Sequence, residues 1–162
     1  MAVIAAAGVA VIYIPQPVQP LVAAEFGVEG PAAAAATIAV QAGYALGVVL
    51  LVSLGDRYSA RRQVTAQLVA TAAALVSAGL APTYAVHVAL CLVAAALRLA
   101  PPTARARTAA VLLGSFIVGL FVVRTALGAL AEAIGWRAAV IACGVVVLAL
   151  VPLSLRVSPA AA

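Results

Sequence analysis

The chain has 162 residues, of which 67% are hydrophobic and only 8% charged, and its mean hydropathy is +1.26. A water-soluble domain has roughly 45–50% apolar and about 25% charged residues, so this composition excludes a soluble globular fold and predicts an integral membrane protein. The net charge of +5 comes from nine arginines and four acidic residues, which cluster between long uncharged stretches. That clustering indicates membrane spans rather than amphipathic surface helices.

The charged clusters divide the chain into six apolar stretches, and a helix needs about 20 such residues to cross roughly 30 Å of hydrocarbon. We therefore predict an all-α membrane protein, a single bundle over residues 1–162. Its spans are residues 1–24, 31–54, 63–81, 83–97, 108–131 and 138–155. The first stretch has no basic start, so we expect it to remain as a span rather than to be cleaved as a signal peptide.

Proline and glycine mark several boundaries of these spans. Pro31 favours the start of the second span, because the N–H that proline lacks would be unpaired in the first helical turn. Gly79 and Pro82 separate the third span from the fourth. The fourth span is short, since the 15 residues 83–97 reach only about 22 Å.

The arginines also predict the orientation. If the N-terminus is cytoplasmic, Arg137 is the one arginine in the outside loops, which satisfies the positive-inside rule. We then expect both termini in the cytoplasm and Trp136 and Tyr84 at the outer membrane interface. The arginines of the inside loops are Arg57, Arg61, Arg62, Arg98, Arg105, Arg107 and Arg156.

The loop between the second and third spans has an unusual charge pattern, Gly55 to Arg62, with the sequence GDRYSARR. Asp56 lies at the negative end of one predicted helix, and Arg61 and Arg62 lie at the positive start of the next. Each placement costs about 0.3–1 kcal/mol of helix stability. Two interpretations stay open: a topology anchor with an internal ion pair, or a recognition element.

This loop resembles the pattern G-x-x-x-D-R-x-G-R-R of the major facilitator superfamily. Val52 and Ser59 stand where the pattern has glycine, and Ala60 stands where it has arginine. Residues 13–20 (YIPQPVQP), 25–28 (EFGV), 123–128 (VRTALG) and 135–137 (GWR) are similar to its drug and sugar efflux branch. The resemblance covers nearly the whole chain.

The resemblance implies one six-helix half of a transporter, built from two inverted three-helix repeats, residues 1–82 and 83–162, whose first and fourth helices line the path. It implies efflux of a small molecule, by antiport, across the cell (inner) membrane, with Asp56, Arg57, Arg61 and Arg62 as a gating motif. The partner would be a second six-helix half, or a second copy. A non-transporting remnant or assembly partner is the alternative, and in either case we expect no transport by this chain alone.

Polar residues at membrane depth are expensive and are therefore candidates for the substrate path. Each has a structural alternative: Arg124 can snorkel outward, Gln16 can bond another helix, and the others can pack. We expect His87 to be interfacial. The path candidates are Tyr13, Gln16, Gln41, Tyr44 and Arg124.

Small residues at four-residue spacing predict close helix packing and a face for homodimerisation, at Ala39, Gly43 and Gly47 in the second span and at Ser115 and Gly119 in the fifth. Cys91 and Cys143 lie in apolar runs and have no metal-ligand spacing, so we interpret both as packing residues. The sequence has no nucleophile and base pair, metal cluster or phosphate-binding loop. It therefore predicts no enzyme, no cofactor, no metal site and no nucleic-acid partner.

Overall fold

The computed structural model describes residues 13–55, 60–97, 121 and 124–155. Within these ranges the chain forms helices and short connections, which confirms the all-α class. The helices are α1 (Pro15–Phe26), a 3-10 helix (Gly30–Ala34), α2 (Ala35–Gly55), α3 (Ala60–Gly79), α4 (Tyr84–Ala96), α5 (residues 124–134), α6 (Trp136–Ala149) and α7 (Val151–Leu155).

In these described ranges, no helix combines the length and the apolar character needed to cross a membrane. The six spans, the single bundle over residues 1–162 and the inverted repeats therefore stay predictions.

Several predicted boundaries coincide with the observed helix ends. The second span starts as a 3-10 helix at Gly30 with Pro31 in its first turn. α3 ends at Gly79, and α4 starts after Thr83, whose side-chain oxygen accepts a hydrogen bond from the backbone N–H of Val86 at 3.4 Å. That bond satisfies one of the unpaired N–H groups at the start of the helix.

The sixth predicted span, residues 138–155, is broken in the structure. α6 ends at Ala149 and α7 begins at Val151. Pro152 explains the break, because a proline inside a helix removes one backbone hydrogen bond and clashes with the carbonyl four residues earlier.

The small-residue face of α2 packs against α4. A Cβ atom built on Gly43 would lie 2.2 Å from the carbonyl oxygen of Leu92, and one built on Gly47 would lie 2.2 Å from that of Ala96. Only glycine permits this approach, which confirms the predicted packing role. Because α4 occupies this face, it is not free to pair with a second copy. Ser115 and Gly119 lie outside the described residues.

A second close contact joins α3 to α6, where Gly144 lies against Ala72 and Val76. α1 lies against α2, α4 and α6. A cavity among the described residues has a volume of about 10 Å³ and is lined by Ile14, Pro15, Val18, Leu75, His87, Cys91, Ala94 and Val140. This is room for about one water molecule, and solute pockets have roughly 300–1,000 Å³. This cavity is therefore too small to hold a solute.

Candidate functional site

One end of the bundle is held by an ion pair between the ends of two distant helices. Glu25 lies in the last turn of α1, and Arg137 lies in the first turn of α6. The Glu25 carboxylate accepts a hydrogen bond from Nε of Arg137 at 2.8 Å. The indole Nε1–H of Trp136 also donates to Glu25. Gly135, with φ of 84°, makes the turn between α5 and α6, and this conformation suits glycine because it has no Cβ.

Arg137 has further partners. Its Nη1 donates to the carbonyl oxygens of Gly79 and Ala81, both at 3.0 Å, at the C-terminal end of α3. Its guanidinium lies 5.5 Å from the ring centre of Phe26 and 4.6 Å from that of Trp136. A cation is favourable there because the carbonyls at a helix C-terminus are partly negative and aromatic faces attract cations.

Three aromatic side chains complete this end. Trp136 is 4% exposed and His87 only 1%, so both rings face the interior of the bundle. The interfacial depth expected for these residues stays a prediction. Nδ1–H of His87 donates to the carbonyl oxygen of Ala78 at 3.0 Å, and its ring meets Trp136 edge-on at 5.2 Å. Tyr84 is half-buried and donates to the carbonyl oxygen of Ala33 at 2.7 Å.

We call Glu25, Phe26, Tyr84, His87, Trp136 and Arg137 the Arg137 network. It ties α1, the 3-10 helix, α3, α4 and α6 together. The hydrogen bond from Arg137 holds the pKa of the Glu25 carboxyl below its ordinary value of 4.5. Since its polar groups are already paired with one another, the network has a structural role. Sequence reasoning missed it, although opposite charges at the ends of the first and sixth spans were a signal.

Two residues that sequence reasoning also missed link α1 to α2. Gln19 donates from Nε2 to the carbonyl oxygen of Ala33 at 2.8 Å, and its Oε1 accepts a hydrogen bond from the Thr37 hydroxyl at 2.7 Å. α1 and α2 run in opposite directions, so positions before Gln19 on α1 are level with positions after Thr37 on α2. Gln16 is therefore level with Gln41, and Tyr13 with Tyr44.

The level of Arg124 follows from the contact between α1 and α5. A Cβ atom built on Gly128 would lie 3.8 Å from Cβ of Pro17. The following helix starts with Trp136, whose ring is 6.0 Å from that of Phe26 at the end of α1. α1 and α5 therefore run in parallel, and Arg124, four residues before Gly128, is level with Tyr13, four residues before Pro17.

The structure thus brings the five predicted path residues to similar depths, and we call Tyr13, Gln16, Gln41, Tyr44 and Arg124 the mid-depth set. Arg124 lies ten residues, about 15 Å, before the end of α5, which is about half the hydrocarbon thickness of a bilayer.

The mid-depth set lies at the surface of the bundle. Gln41, Tyr44 and Arg124 are exposed, while Tyr13 and Gln16 are half-buried and Tyr13 packs against the core. Within the described ranges, Gln16, Gln41 and Arg124 make no hydrogen bond or ion pair, whereas Tyr13 and Tyr44 each have a partner. The arrangement offers a cation and two amides to a molecule outside the bundle.

The predicted gating motif is only partly described. Asp56 and Arg57 lie outside the described residues. Arg61 belongs to the first turn of α3, and the side chain of Arg62 is exposed. Its gating role stays a prediction.

A sequence model described as Major Facilitator Superfamily matches residues 1–162. The chain belongs to this superfamily. It is 31% identical over 149 residues to YgaY of Escherichia coli strain K12, which is described as an uncharacterized transporter. YgaY of Escherichia coli O157:H7 has the same identity. Both alignments cover 85% of this chain and 38% of the relative, so the chain spans well under half the length of these proteins. No solved structure matches the chain.

Membership of the major facilitator superfamily confirms the resemblance inferred from the sequence motifs. This superfamily consists of integral membrane proteins, as the composition indicated, and its members are transporters rather than enzymes. The helical architecture of the described residues fits this superfamily.

Proposed function

We propose that the chain forms one six-helix bundle of an efflux-type carrier for a small solute, and that the mid-depth set lines the solute path. In this proposal the carrier is an antiporter of the cell (inner) membrane, with both termini in the cytoplasm. Its inverted repeats are residues 1–82 and 83–162, and its path lies between this bundle and a second one.

The observation that carries the proposal is the exposure of Gln41 and Arg124, which make no hydrogen bond or ion pair within the described ranges. A polar group at the centre of a bilayer without a partner costs several kcal/mol when it faces lipid. Such residues are therefore expected to face another protein surface or a water-filled path. The cavity beside His87 is too small for a solute, whereas Gln41 and Arg124 are open at the surface of the bundle. In carriers built from two bundles, substrate sites lie near the midplane.

The length of α4 favours a second candidate, a non-transporting remnant or assembly partner. α4 has 13 residues, or about 20 Å, whereas α2 has 21. Because the resemblance places the fourth helix along the path, a short α4 would line only part of it. The residues after α4, including Arg98, lie outside the described ranges.

Thiol labelling tests the path on the two flanks of α2. In membranes that contain the chain together with a second six-helix bundle, and with Cys91 and Cys143 replaced by alanine, we compare Gln41→Cys with Leu46→Cys, both at exposed positions. Leu46 lies about 140° around the axis of the same helix from Gln41. We expect a hydrophilic thiol reagent to modify the cysteine at position 41 and to spare the one at 46. Equal reaction at both positions, or none at 41, would contradict the proposal.

Transport by the chain alone separates the two candidate functions. We expect the purified 162-residue chain in liposomes to give no saturable uptake of lipophilic cations, sugars or organic anions, because alternating access requires a second bundle. Crosslinking in the same liposomes reports the oligomeric state. Saturable flux together with a crosslinked dimer would show that two copies suffice. A reading frame next to this gene that encodes six further spans would supply the second bundle. If flux is also absent when such a frame is co-expressed, the non-transporting remnant is favoured.

A further inference from the structure

The charge of the mid-depth set is one-sided. Arg124 contributes the formal positive charge of the set, and the other members are two glutamines and two tyrosines. The acidic residues of the described ranges are Glu25, Glu29 and Glu132. Glu25 is paired with Arg137, and Glu29 lies in the connection before the 3-10 helix.

Glu132 is the acidic residue nearest to Arg124 in sequence, and it does not compensate the arginine. It lies eight residues further along α5, about 12 Å away along the helix axis. An ion pair requires the charged atoms to be within about 4 Å. The fourth acidic residue of the chain, Asp56, lies outside the described ranges, at the predicted inner end of the second span. Arg124 therefore has no carboxylate partner among the described residues.

A cation without a carboxylate partner at this depth favours a negatively charged ligand. At an effective dielectric constant of 20, two unit charges 4 Å apart interact by about 4 kcal/mol. The interaction is attractive for an anion and repulsive for a cation. A guanidinium also fits carboxylate and phosphate oxygens, because its N–H groups form a planar fork that can donate two parallel bonds.

The neutral members of the set suit the same ligand. Gln16 and Gln41 carry amide N–H donors one helical turn from the level of Arg124, and neither amide has a partner within the described ranges. An anion with several oxygen atoms accepts hydrogen bonds from such donors, whereas a lipophilic cation offers few acceptors. This pattern differs from a cation site, which would need a carboxylate.

We propose that the solute is a small organic anion with a carboxylate or phosphate group, and that Arg124 is its binding residue. This inference rests on the proposed transport function and assigns the solute class of the same site. It excludes lipophilic cations and neutral sugars as the main solutes.

Protection of the Gln41→Cys variant from thiol labelling tests the inference, because this variant loses one amide but keeps Arg124, the proposed binding residue, and the amide of Gln16. The panel contains short mono- and dicarboxylates, sugar phosphates, the corresponding neutral sugars and lipophilic cations. We expect protection by anions and no protection by the neutral or cationic compounds. Comparing carboxylates with phosphate esters of similar size then identifies which anionic group is preferred.

Two substitutions in the same background separate binding from structure. Arg124→Gln should leave labelling without solute unchanged and should raise the half-protecting anion concentration by about 10- to 150-fold, which corresponds to the loss of one charged hydrogen bond. Arg124→Lys should retain part of the protection. Glu132→Gln is the matched control, because it removes a charge from the same helix and should not weaken protection.

The outcomes distinguish the two proposals. If position 41 is not labelled, the solute path itself is wrong. If it is labelled but protected equally by neutral or cationic compounds, the path stands and the anionic class is wrong. Protection by none of the anions, or protection that Arg124→Gln does not change, also overturns the inference. In the last case a carboxylate of the second bundle is the alternative partner of Arg124.

Discussion

Two arginines of this chain have opposite surroundings. Arg137 donates hydrogen bonds to Glu25, Gly79 and Ala81 and lies against two aromatic rings. Arg124 is exposed and has no partner within the described ranges. Both belong to consecutive helices that pack near α1. Arg137 joins helix ends at one end of the bundle, whereas Arg124 lies about 15 Å along α5 from the end of that helix.

The difference separates structural polar groups from those available for function. A polar group whose hydrogen bonds are made within the bundle fixes the positions of the helices that it joins. A polar group without a partner at membrane depth stabilises nothing within the bundle, so its presence requires an external ligand or partner. The Arg137 network and the mid-depth set are therefore expected to respond differently to substitution.

The largest effect is expected where α4 meets α2, because these helices carry parts of both regions. In Gly43→Ala the new Cβ would lie 2.2 Å from the carbonyl oxygen of Leu92, so the backbones must separate. We expect a loss of about 3 kcal/mol, the upper range for overpacking. Thermal unfolding in detergent micelles measures it.

Gly128→Ala is the matched control, because its Cβ would lie 3.8 Å from Pro17, an ordinary contact. We expect it to be neutral or to stabilise α5 by about 0.5–1 kcal/mol. Equal destabilisation by both substitutions would show that the two contacts are equally close, contrary to the structure.

The second effect compares the two arginines directly. Arg137→Gln removes the ion pair, the charged hydrogen bonds to α3 and the cation–π contacts of a partly exposed side chain, so we expect a loss of about 1.5–2.5 kcal/mol of stability. Arg124→Gln removes no contact among the described residues, and we expect a change within about 0.5 kcal/mol. The same unfolding measurement applies. A loss of stability in Arg124→Gln as large as that in Arg137→Gln would assign Arg124 a structural role.

Local features of the sequence predicted much of the fold. Pro31 indicated a helix start, Gly79 and Pro82 indicated a break, and the spacing of Gly43 and Gly47 indicated a packing face. Each of these depends on residues within a few turns, which proline geometry or helical periodicity fixes. The break at Pro152 was missed, because the apolar run continued on both sides of the proline.

Contacts distant in sequence were harder to predict. Glu25 and Arg137 are 112 residues apart, and opposite charges at two span ends do not by themselves show that the two residues meet. The burial of His87 was not predicted, because position along a helix does not determine which side a residue faces. The mid-depth set was predicted because polar residues stand out in apolar runs, whereas its common level depends on the helix register that Gln19 and Thr37 show.

The smallest expected effect concerns the ion pair of the Arg137 network and its pH dependence. Hydrogen bonding from Arg137 lowers the pKa of Glu25 in the folded chain below 4.5. The pair therefore stabilises the fold fully above about pH 4.5, and this contribution disappears as the pH falls through the lowered pKa. Because both side chains are partly exposed, we expect only about 0.5–1 kcal/mol at neutral pH.

Glu25→Gln tests this contribution. At several pH values between 7 and 3, the unfolding free energy of the variant is subtracted from that of the wild type. The difference should be constant from pH 7 to about pH 5 and should shrink in more acidic buffer, because the wild-type carboxylate then becomes protonated and resembles the amide. In an Arg137→Gln background the same substitution should have little effect at any of these pH values. A difference that persists in that background would assign the stabilisation to the Trp136 hydrogen bond instead of the ion pair, and the contrast between Arg137 and Arg124 would then rest on the carbonyl contacts alone.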